Sequence, residues 1–557
     1  MSLFKRLRIF LLLTALSLAG LFCVSLLQRQ MSKIITANRL TDTDIVENAP
    51  PVIAFTTVAL GSFRGLLADI LWLRAIRLQD EGNYYEMAQL ASWITKLQPR
   101  FTGATAYLAW NMAYNISVTC SLPEDRWRWV SRGIELIRDE ALSMNPSDPL
   151  LYKELGWIYQ HKVGNILDDA NLYYKNQLAL DMMKVFGSAE PDWQAWAAAP
   201  RSAKEFDTVY PPDSPVRKAM EAAGFKSVKD LETEFRSSGG VLPQKLADAL
   251  GGPALVKNIE TYLRASWLRA KFKLDAAMIL KINNKFGPLD WRLPEAQAIY
   301  WAEMGLEKSP NKADISCERM ITQSLKDAFM GGKLLLVDKD NFKSVITVPN
   351  LGLADAVRDT YQKAYERNKS NSFKSALMNY MKDATVILYN FGNYTKAREY
   401  YDWMRKEEPG NNIYRGGLDQ FVLREWTEDV QSANLKQAND IVAGLLYRAC
   451  YLFAYGDVEA AMAHQKLAAL VYTRYQSDQS GALGRTGLAP FNQIKKNVTE
   501  NCLKNFPPSL AEILKKQIDA ERKKAKEDSP AQTPAPSPAT EAQSPIPGAT
   551  SDRPEKQ

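Results

Sequence analysis

The chain has 557 residues and a mass of 62.7 kDa, more than one hydrophobic core takes up, so it must divide into several packed regions or run as an extended repeat array. Lys and Arg (70) against Asp and Glu (63) leave a net charge of +7, too dilute over this length to draw nucleic acid as a partner. Hydrophobic residues at 46% and charged residues at 24% exclude a wholly disordered or polytopic membrane chain, and two histidines with five scattered cysteines point to no metal centre and no cofactor.

Ile9 to Leu27 carries no charge, and at ~1.5 Å rise per residue it nearly matches a ~30 Å hydrocarbon core. This predicts a single transmembrane helix within residues 1–31. Lys5, Arg6 and Arg8 hold the leading end in the cytoplasm, so the bulk of the chain is expected on the outer side of a bacterial inner membrane. Ser17-Leu18-Ala19 offers a small-x-small cleavage site, but the apolar run continues eight residues past it, as in a retained anchor. A juxtamembrane segment, 32–63, follows; its apolar part, Val52 to Phe63, is too short to span. In an oxidising compartment Cys120, Cys317, Cys450 and Cys502 allow three pairings that spacing does not choose between, and buried free thiols are an equal reading.

Residues 64–190 have helical periodicity. Leu66, Leu67, Ile70, Leu71, Leu73 and Ile76 fall on helical spacing, Gly82-Asn83 breaks the run, Tyr84 to Leu97 resumes it and Pro99 ends the pair. A long helix is predicted from Glu124 to Met144. Another opens with Tyr152, Leu155, Gly156 and Tyr159, followed by a helix bearing Ala170 and Tyr174. In 191–253 five prolines from Pro191 to Pro215 forbid long helices, and short ones at Val216 to Ala223, Val228 to Arg236 and Gln244 to Leu250 make a small insert. Residues 254–374 read as one long helix from Ala254 to Asn284, a buried helix from Pro294 through Leu306, and a hairpin within 333–348, Lys333 to Val337 against Phe342 to Val348. In 375–504, Gly392, Tyr394, Ala397, Tyr401, Met404 and Pro409 mark one helix pair. Ala449, Gly456, Ala461 and Ala468 mark another, small residues letting axes approach to ~8–10 Å. A basic helix, 505–527, and a disordered Pro/Ala/Ser-rich tail, 528–557, complete the chain.

Glycine, an aromatic two later, alanine, aromatic and proline at Gly392, Tyr394, Ala397, Tyr401 and Pro409 are the offsets of the second helix of a tetratricopeptide repeat, and Tyr152-x2-Leu155-Gly156-x2-Tyr159 fits its first helix. Over roughly 64–186 and 375–475 the chain resembles tetratricopeptide-repeat proteins. That resemblance implies an all-α, irregular array of helical hairpins, an α-solenoid, in which Gly156, Tyr159, Gly392, Tyr394, Ala397, Tyr401, Pro409, Ala449, Gly456, Ala461 and Ala468 pack the repeats. Pro99 to Pro146 spans 47 residues and Gly392 to Gly456 spans 64, neither a multiple of the ~34-residue period, so the repeats are irregular or interrupted. Asn115-Ile116-Ser117, Pro123 to Trp129, His161-Lys162 and Asp168 to Asn171 also resemble an uncharacterised family of membrane-anchored bacterial proteins, which carries no assigned activity.

The densest arginine and tryptophan cluster is Arg126 to Arg132. One reading is an amphipathic helix with inward tryptophans. The sharper one is a groove in which Arg126, Arg128, Trp129 and Arg132 hold an extended peptide or anionic group by forked hydrogen bonds and stacking. His161 lies two turns from Glu154, too far to share an ion, and reads as a satisfied histidine; Asp168 and Asp169 read first as a helix N-cap. No phosphate-binding glycine loop, GxSxG, HExxH or CxxC occurs. The expected function is therefore a membrane-anchored scaffold or adaptor for an envelope or membrane protein, with Arg126, Arg128, Trp129, Arg132, His161, Asp168 and Asp169 as partner-binding residues and no catalytic, cofactor or metal ligand. The alternatives are an envelope enzyme cleaving glycan or peptide polymers with a carboxylate pair, or an accessory subunit docking through Val52 to Ile76 onto an integral-membrane complex.

Overall fold

The computed structural model describes residues 3–37, 63–187, 190–309, 314–337, 339, 342, 345–422, 424–425, 435–454, 456, 458–479, 488–506 and 508–527; the expectations for 38–62 and for the tail, 528–557, fall outside them. Among the described residues the protein is all-α with one small hairpin. It divides into two compact units, Met1–Glu425 and Trp426–Gln557. That boundary cuts the region expected at 375–504: its first helix pair belongs to the first unit and its second to the second.

Helix α1 (Leu3–Ala37) contains Leu12–Met31, long and apolar enough to cross a membrane. The next helices pair by short turns. Between α2 (Phe63–Asp80) and α3 (Tyr84–Leu97) the chain reverses at Gly82, whose φ of 76° suits glycine alone, and α3 buries Met87, Leu90, Ala91 and Ile94. Helix α4 (Thr102–Trp110, prolonged by π turns over Asn111–Ile116) pairs with α5 (Pro123–Glu135, prolonged by π turns over Leu136–Ala141 and by Leu142–Met144). Gly133 of α5 lies so close to the Ala109 carbonyl that a Cβ there would sit 2.6 Å from its oxygen.

The helix predicted to follow Tyr159 as its partner is not the one that pairs with it. Helix α6 (Pro149–Trp157, prolonged by π turns over Ile158–Gly164) packs along α15 (Pro294–Lys308) instead. The seam is built from small residues. Gly164 meets Pro294, Gly156 meets the Ala298 carbonyl and the Ala302 nitrogen, and Gly305 meets Tyr152 and the Pro149 carbonyl. These contacts run in opposite chain directions, so the two helices are antiparallel, and the missing Cβ atoms set their approach. Tyr159 is buried as expected.

Residues 165–293 leave and return between these two helices. They form α7 (Asn171–Phe186), α8 (Trp193–Ala198), α9 (Ala203–Val209), α10 (Pro215–Ala222), α11 (Val228–Ser237), α12 (Gln244–Ala249), α13 (Pro253–Phe272) and α14 (Ala276–Phe286). The single helix expected from Ala254 to Asn284 is two. Lys273 takes a left-handed φ of 56°, and the Asp275 carboxylate caps α14 by accepting from the Ala277 and Met278 N–H groups.

Helix α15 also packs on α16 (Ile315–Gly331), and α17 (Ala354–Asn368) follows on α16. Between α16 and α17 lie β1 (Lys333–Leu336) and β2 (Ile346–Val348), antiparallel with Lys333 opposite Val348 and Leu334 opposite Thr347. They are shorter than predicted. A lone hairpin is marginal in water; this one buries Leu334 against Ala179 and Leu293 and donates its Leu334 N–H to Asp290 at 2.9 Å.

The last pair of the first unit is α18 (Asn371–Asn390) with α19 (Tyr394–Glu407), turned at Gly392 (φ 77°). Ala397 and Tyr401 are buried as the repeat pattern requires, and Tyr401 donates to the Tyr414 carbonyl at 2.7 Å. Tyr394 departs from it: half-exposed at the helix start, its ring meets Tyr389 of its own pair edge-on. In the second unit α20 (Leu435–Ala454) and α21 (Val458–Gln479) turn at Gly456, and Ala449, Ala461 and Ala468 are fully buried. Helices α22 (Phe491–Asn505) and α23 (Pro508–Glu527) pack on α20, so the expected basic helix contributes Leu514 to a core.

Candidate functional site

A cavity of ≈310 Å³ opens among the π-turn ends of α4 and α6, the start of α5 and the loop before α7, lined by Tyr114, Val118, Arg126, His161, Lys162, Leu167, Asp168 and Asp169. Each π segment widens the helix by an extra residue per turn, which re-aims the side chains it carries. Tyr114 lies in the first, and His161 and Lys162 lie in that of α6.

Asp168 organises the polar wall. Its carboxylate accepts from Lys162 Nζ at 2.5 Å, Arg126 at 3.1 Å, the Tyr174 hydroxyl at 3.1 Å and the Ala170 N–H at 2.9 Å. Burial acts to raise this carboxyl, but the hydrogen bonds from Lys162, Ala170 and Tyr174 outweigh it and hold Asp168 below the ordinary carboxylate range. Lys162 is itself buried, its ammonium 5.3 Å from the Tyr114 ring centroid and 5.9 Å from that of Tyr174. A buried ion pair is costly unless every bond is made. Here the set is nearly closed, with Arg126 also donating to the Cys120 carbonyl at 2.8 Å.

The other wall is aromatic. Trp157 stacks on His161 (4.6 Å, 11°), His161 meets Tyr114 at 5.7 Å, and Tyr114 stacks on Trp110 at 5.3 Å. One turn earlier on α4, Tyr107 packs on Trp72 of α2, which also meets Phe101. The rings therefore cross α2, α4 and α6, the first helices of three successive pairs. Tyr107 and Trp110 are 44% and 38% exposed, so the strip faces solvent. Burial, with Lys162 beside it, lowers the His161 pKa, leaving a neutral ring that shares a hydrogen bond with the Tyr114 hydroxyl at 3.2 Å. The cavity thus offers a stacking ledge beside a polar rim whose charges are paired with one another. Among the described residues no three His, Cys, Asp or Glu side chains are grouped to hold a metal ion.

Four of the seven predicted partner-binding residues converge here: Arg126, His161, Asp168 and Asp169. The other three do not. Trp129 is buried against Tyr84 and Tyr85 of α3, because its place on the helix points it into the pair. Arg132 is consumed in a strap between α5 and α3, bonding Glu140 at 3.0 Å, and Glu140 in turn takes Lys96 and Ser92. Arg128 stands in solvent, paired with Asp125 at 3.0 Å. Asp168 is less a helix cap than the anchor of a buried network, and α7 begins without a side-chain cap. Sequence reasoning passed over Trp72, Tyr107, Trp110, Tyr114 and Trp157. The spacing of Tyr107, Trp110 and Tyr114 does place three rings on one helix face, but only tertiary packing sets them beside His161. Buried Lys162 leaves no periodic trace at all.

No protein-family model matches this chain, and no curated protein matches it. Fold and site define an all-α, helical-hairpin protein with one apolar N-terminal helix and an aromatic face on the first helices of its pairs.

Proposed function

We propose that the chain is a tetratricopeptide-type scaffold, anchored by α1 with its bulk exported, that grips a polypeptide partner along its aromatic face. The carrying observation is the strip from Trp72 through Tyr107, Trp110 and Tyr114 to Trp157 and His161, which crosses three helix pairs and ends at the Asp168 cavity. Rigid aromatic side chains supply contact area at low entropic cost, and stacked helix pairs can hold an extended segment or helix without any catalytic group. The cations in the cavity, Lys162 and Arg126, are already paired with Asp168, so the partner is recognised chiefly by apolar and aromatic contact, with the exposed Asp169 at the rim.

A photo-crosslinking amino acid at Trp110 or Trp157 in intact cells, compared with one at exposed Lys204 of the insert, tests this. The expected result is an adduct of discrete mass from the first two positions, lost when Tyr107 is replaced by alanine. Equal labelling from all three, or none, contradicts the reading.

A second reading draws on α2. Leu66, Ile70 and Leu73 are more than half exposed on it and recur at helical spacing, an apolar stripe of the kind that marks a contact surface. It supports an accessory subunit docked on an integral-membrane complex. Leu66→Gln with Ile70→Gln is expected to leave the fold intact and release the protein from that complex in mild detergent; co-purification unchanged by the pair rules this reading out.

A further inference from the structure

The second unit holds two cysteines that neither the scaffold reading nor the repeat pattern uses. Cys450 lies in the last turns of α20 and Cys502 in α22, and both are buried in one core cluster with Phe453, Ala461, Phe506 and Leu514. The Cys450 sulfur lies 3.8 Å from the Thr499 hydroxyl. Thr499 is one turn before Cys502 on the same face of α22, so that face is turned towards Cys450. Cys502 thus lies on the face of α22 that Cys450 meets, in the same buried cluster. The other two lie elsewhere: Cys317 faces Gly305 on the α15–α16 seam, and Cys120 sits at the end of α4.

We propose that Cys450 and Cys502 are a disulfide-forming pair that staples α20 to α22. The bond closes by two exchanges with a small-molecule or protein disulfide. One protein sulfur, as thiolate, attacks a sulfur of that disulfide and expels the first reduced thiol. The second protein sulfur, giving up its proton, attacks the mixed disulfide and expels the second. The protein loses two electrons and two protons, and the oxidant gains them as two thiols. Cys450 is the first nucleophile: the neighbouring Cys502 thiol, then the Thr499 hydroxyl and the Lys495 ammonium, favour its thiolate against the effect of burial. The neighbouring Cys450 sulfur, together with burial, pushes the Cys502 thiol well up, leaving it to resolve. Both sulfurs are enclosed, so exchange proceeds as the helices assemble and the closed bond resists external reductant.

That the staple is closed in the living cell rests on the exported placement proposed above; the pair's competence does not. The full-length chain, purified and reduced, is equilibrated in glutathione buffers of increasing oxidised fraction, blocked with N-ethylmaleimide, and digested without reduction. In parallel, intact cells are acid-quenched and blocked the same way. The proposal expects one linked peptide joining residues 450 and 502 in both samples, with Cys120 and Cys317 alkylated, and a drop of roughly 10 °C in the second unit's unfolding temperature on reduction. Free thiols at both positions in both samples overturn the staple and leave the exported placement untouched. A link in the glutathione series but free thiols in cells overturns it as a native feature and contradicts the exported placement as well. The wild-type reading stands without variants; Cys450→Ser, where it folds, is expected to leave Cys502 fully alkylated on denaturation.

Discussion

In the pair α18–α19 the chain turns at Phe391-Gly392-Asn393 and the second helix packs at once; in α6–α15 it leaves at Gly164, folds residues 165–293, and returns at Pro294 to make the same kind of antiparallel contact. Loop-closure entropy grows only with the logarithm of length, so even a flexible excursion of this size costs about 3 kcal/mol more than the tight turn. A small-residue seam outweighs that. What makes a helix pair here is the interface and not the turn, and the consequence is functional: α6 keeps its place as a first helix, so Trp157 and His161 continue the strip begun on α2 and α4.

The sharpest way to break the interrupted pair is at its exit. Asp168→Ala leaves Lys162 buried without its counter-ion and is expected to cost about 3–5 kcal/mol in the first unit, read from the denaturant midpoint. Lys162→Met added to Asp168→Leu is expected to recover most of it. Because the folded carboxyl is held below its unfolded value, its contribution is present above the unfolded pKa and is lost as pH falls through the folded one. Parent and Asp168→Ala should therefore converge in acid; a constant gap contradicts the network.

In mid-seam, a Cβ at Gly156 would already meet the Ala298 carbonyl at 3.3 Å. Gly156→Leu is expected to cost about 2–3 kcal/mol, and a silent substitution would mean the seam is loose. At the re-entry, burial pushes Glu295 up to about 7, only partly offset by Lys175. Its folded pKa exceeds the unfolded value, so stability falls as pH rises from about 4.5 to about 7. Glu295→Gln should then stabilise by roughly 1–3 kcal/mol at pH 8 and have no effect at pH 4. The uninterrupted pair gives the smallest effect: Gly392→Ala strains a left-handed turn and is expected to cost about 1 kcal/mol, confined to α18–α19.

Much of this architecture was legible in residue patterns, and the reason varies by element. Helices α2, α3, α18 and α19 announce themselves because period and turn glycine lie within one short window. The buried helix from Pro294 was legible from apolar residues covering its circumference. Its partner was not, since Tyr152, Leu155, Gly156 and Tyr159 specify a helix face but carry no information on which distant helix fills it. The break at Lys273 was hidden because a lysine there adopts a conformation that glycine usually marks. At the site, Arg126 and Asp168 were visible as charges. Trp129 misled because a tryptophan beside arginines looks like a binding surface until packing shows which way it points. The aromatic strip belongs to three separate helices, and adjacency between helices is not written in any one of them.

Hydrogen exchange on the full chain carrying Gly156→Leu tests the interrupted pair most directly. Residues 149–163 and 294–308 should lose protection together while 371–407 remain as in the parent. Loss shared instead between 149–163 and 171–186, with 294–308 unchanged, would show that α6 belongs with α7 and that the strip is not carried by successive pairs.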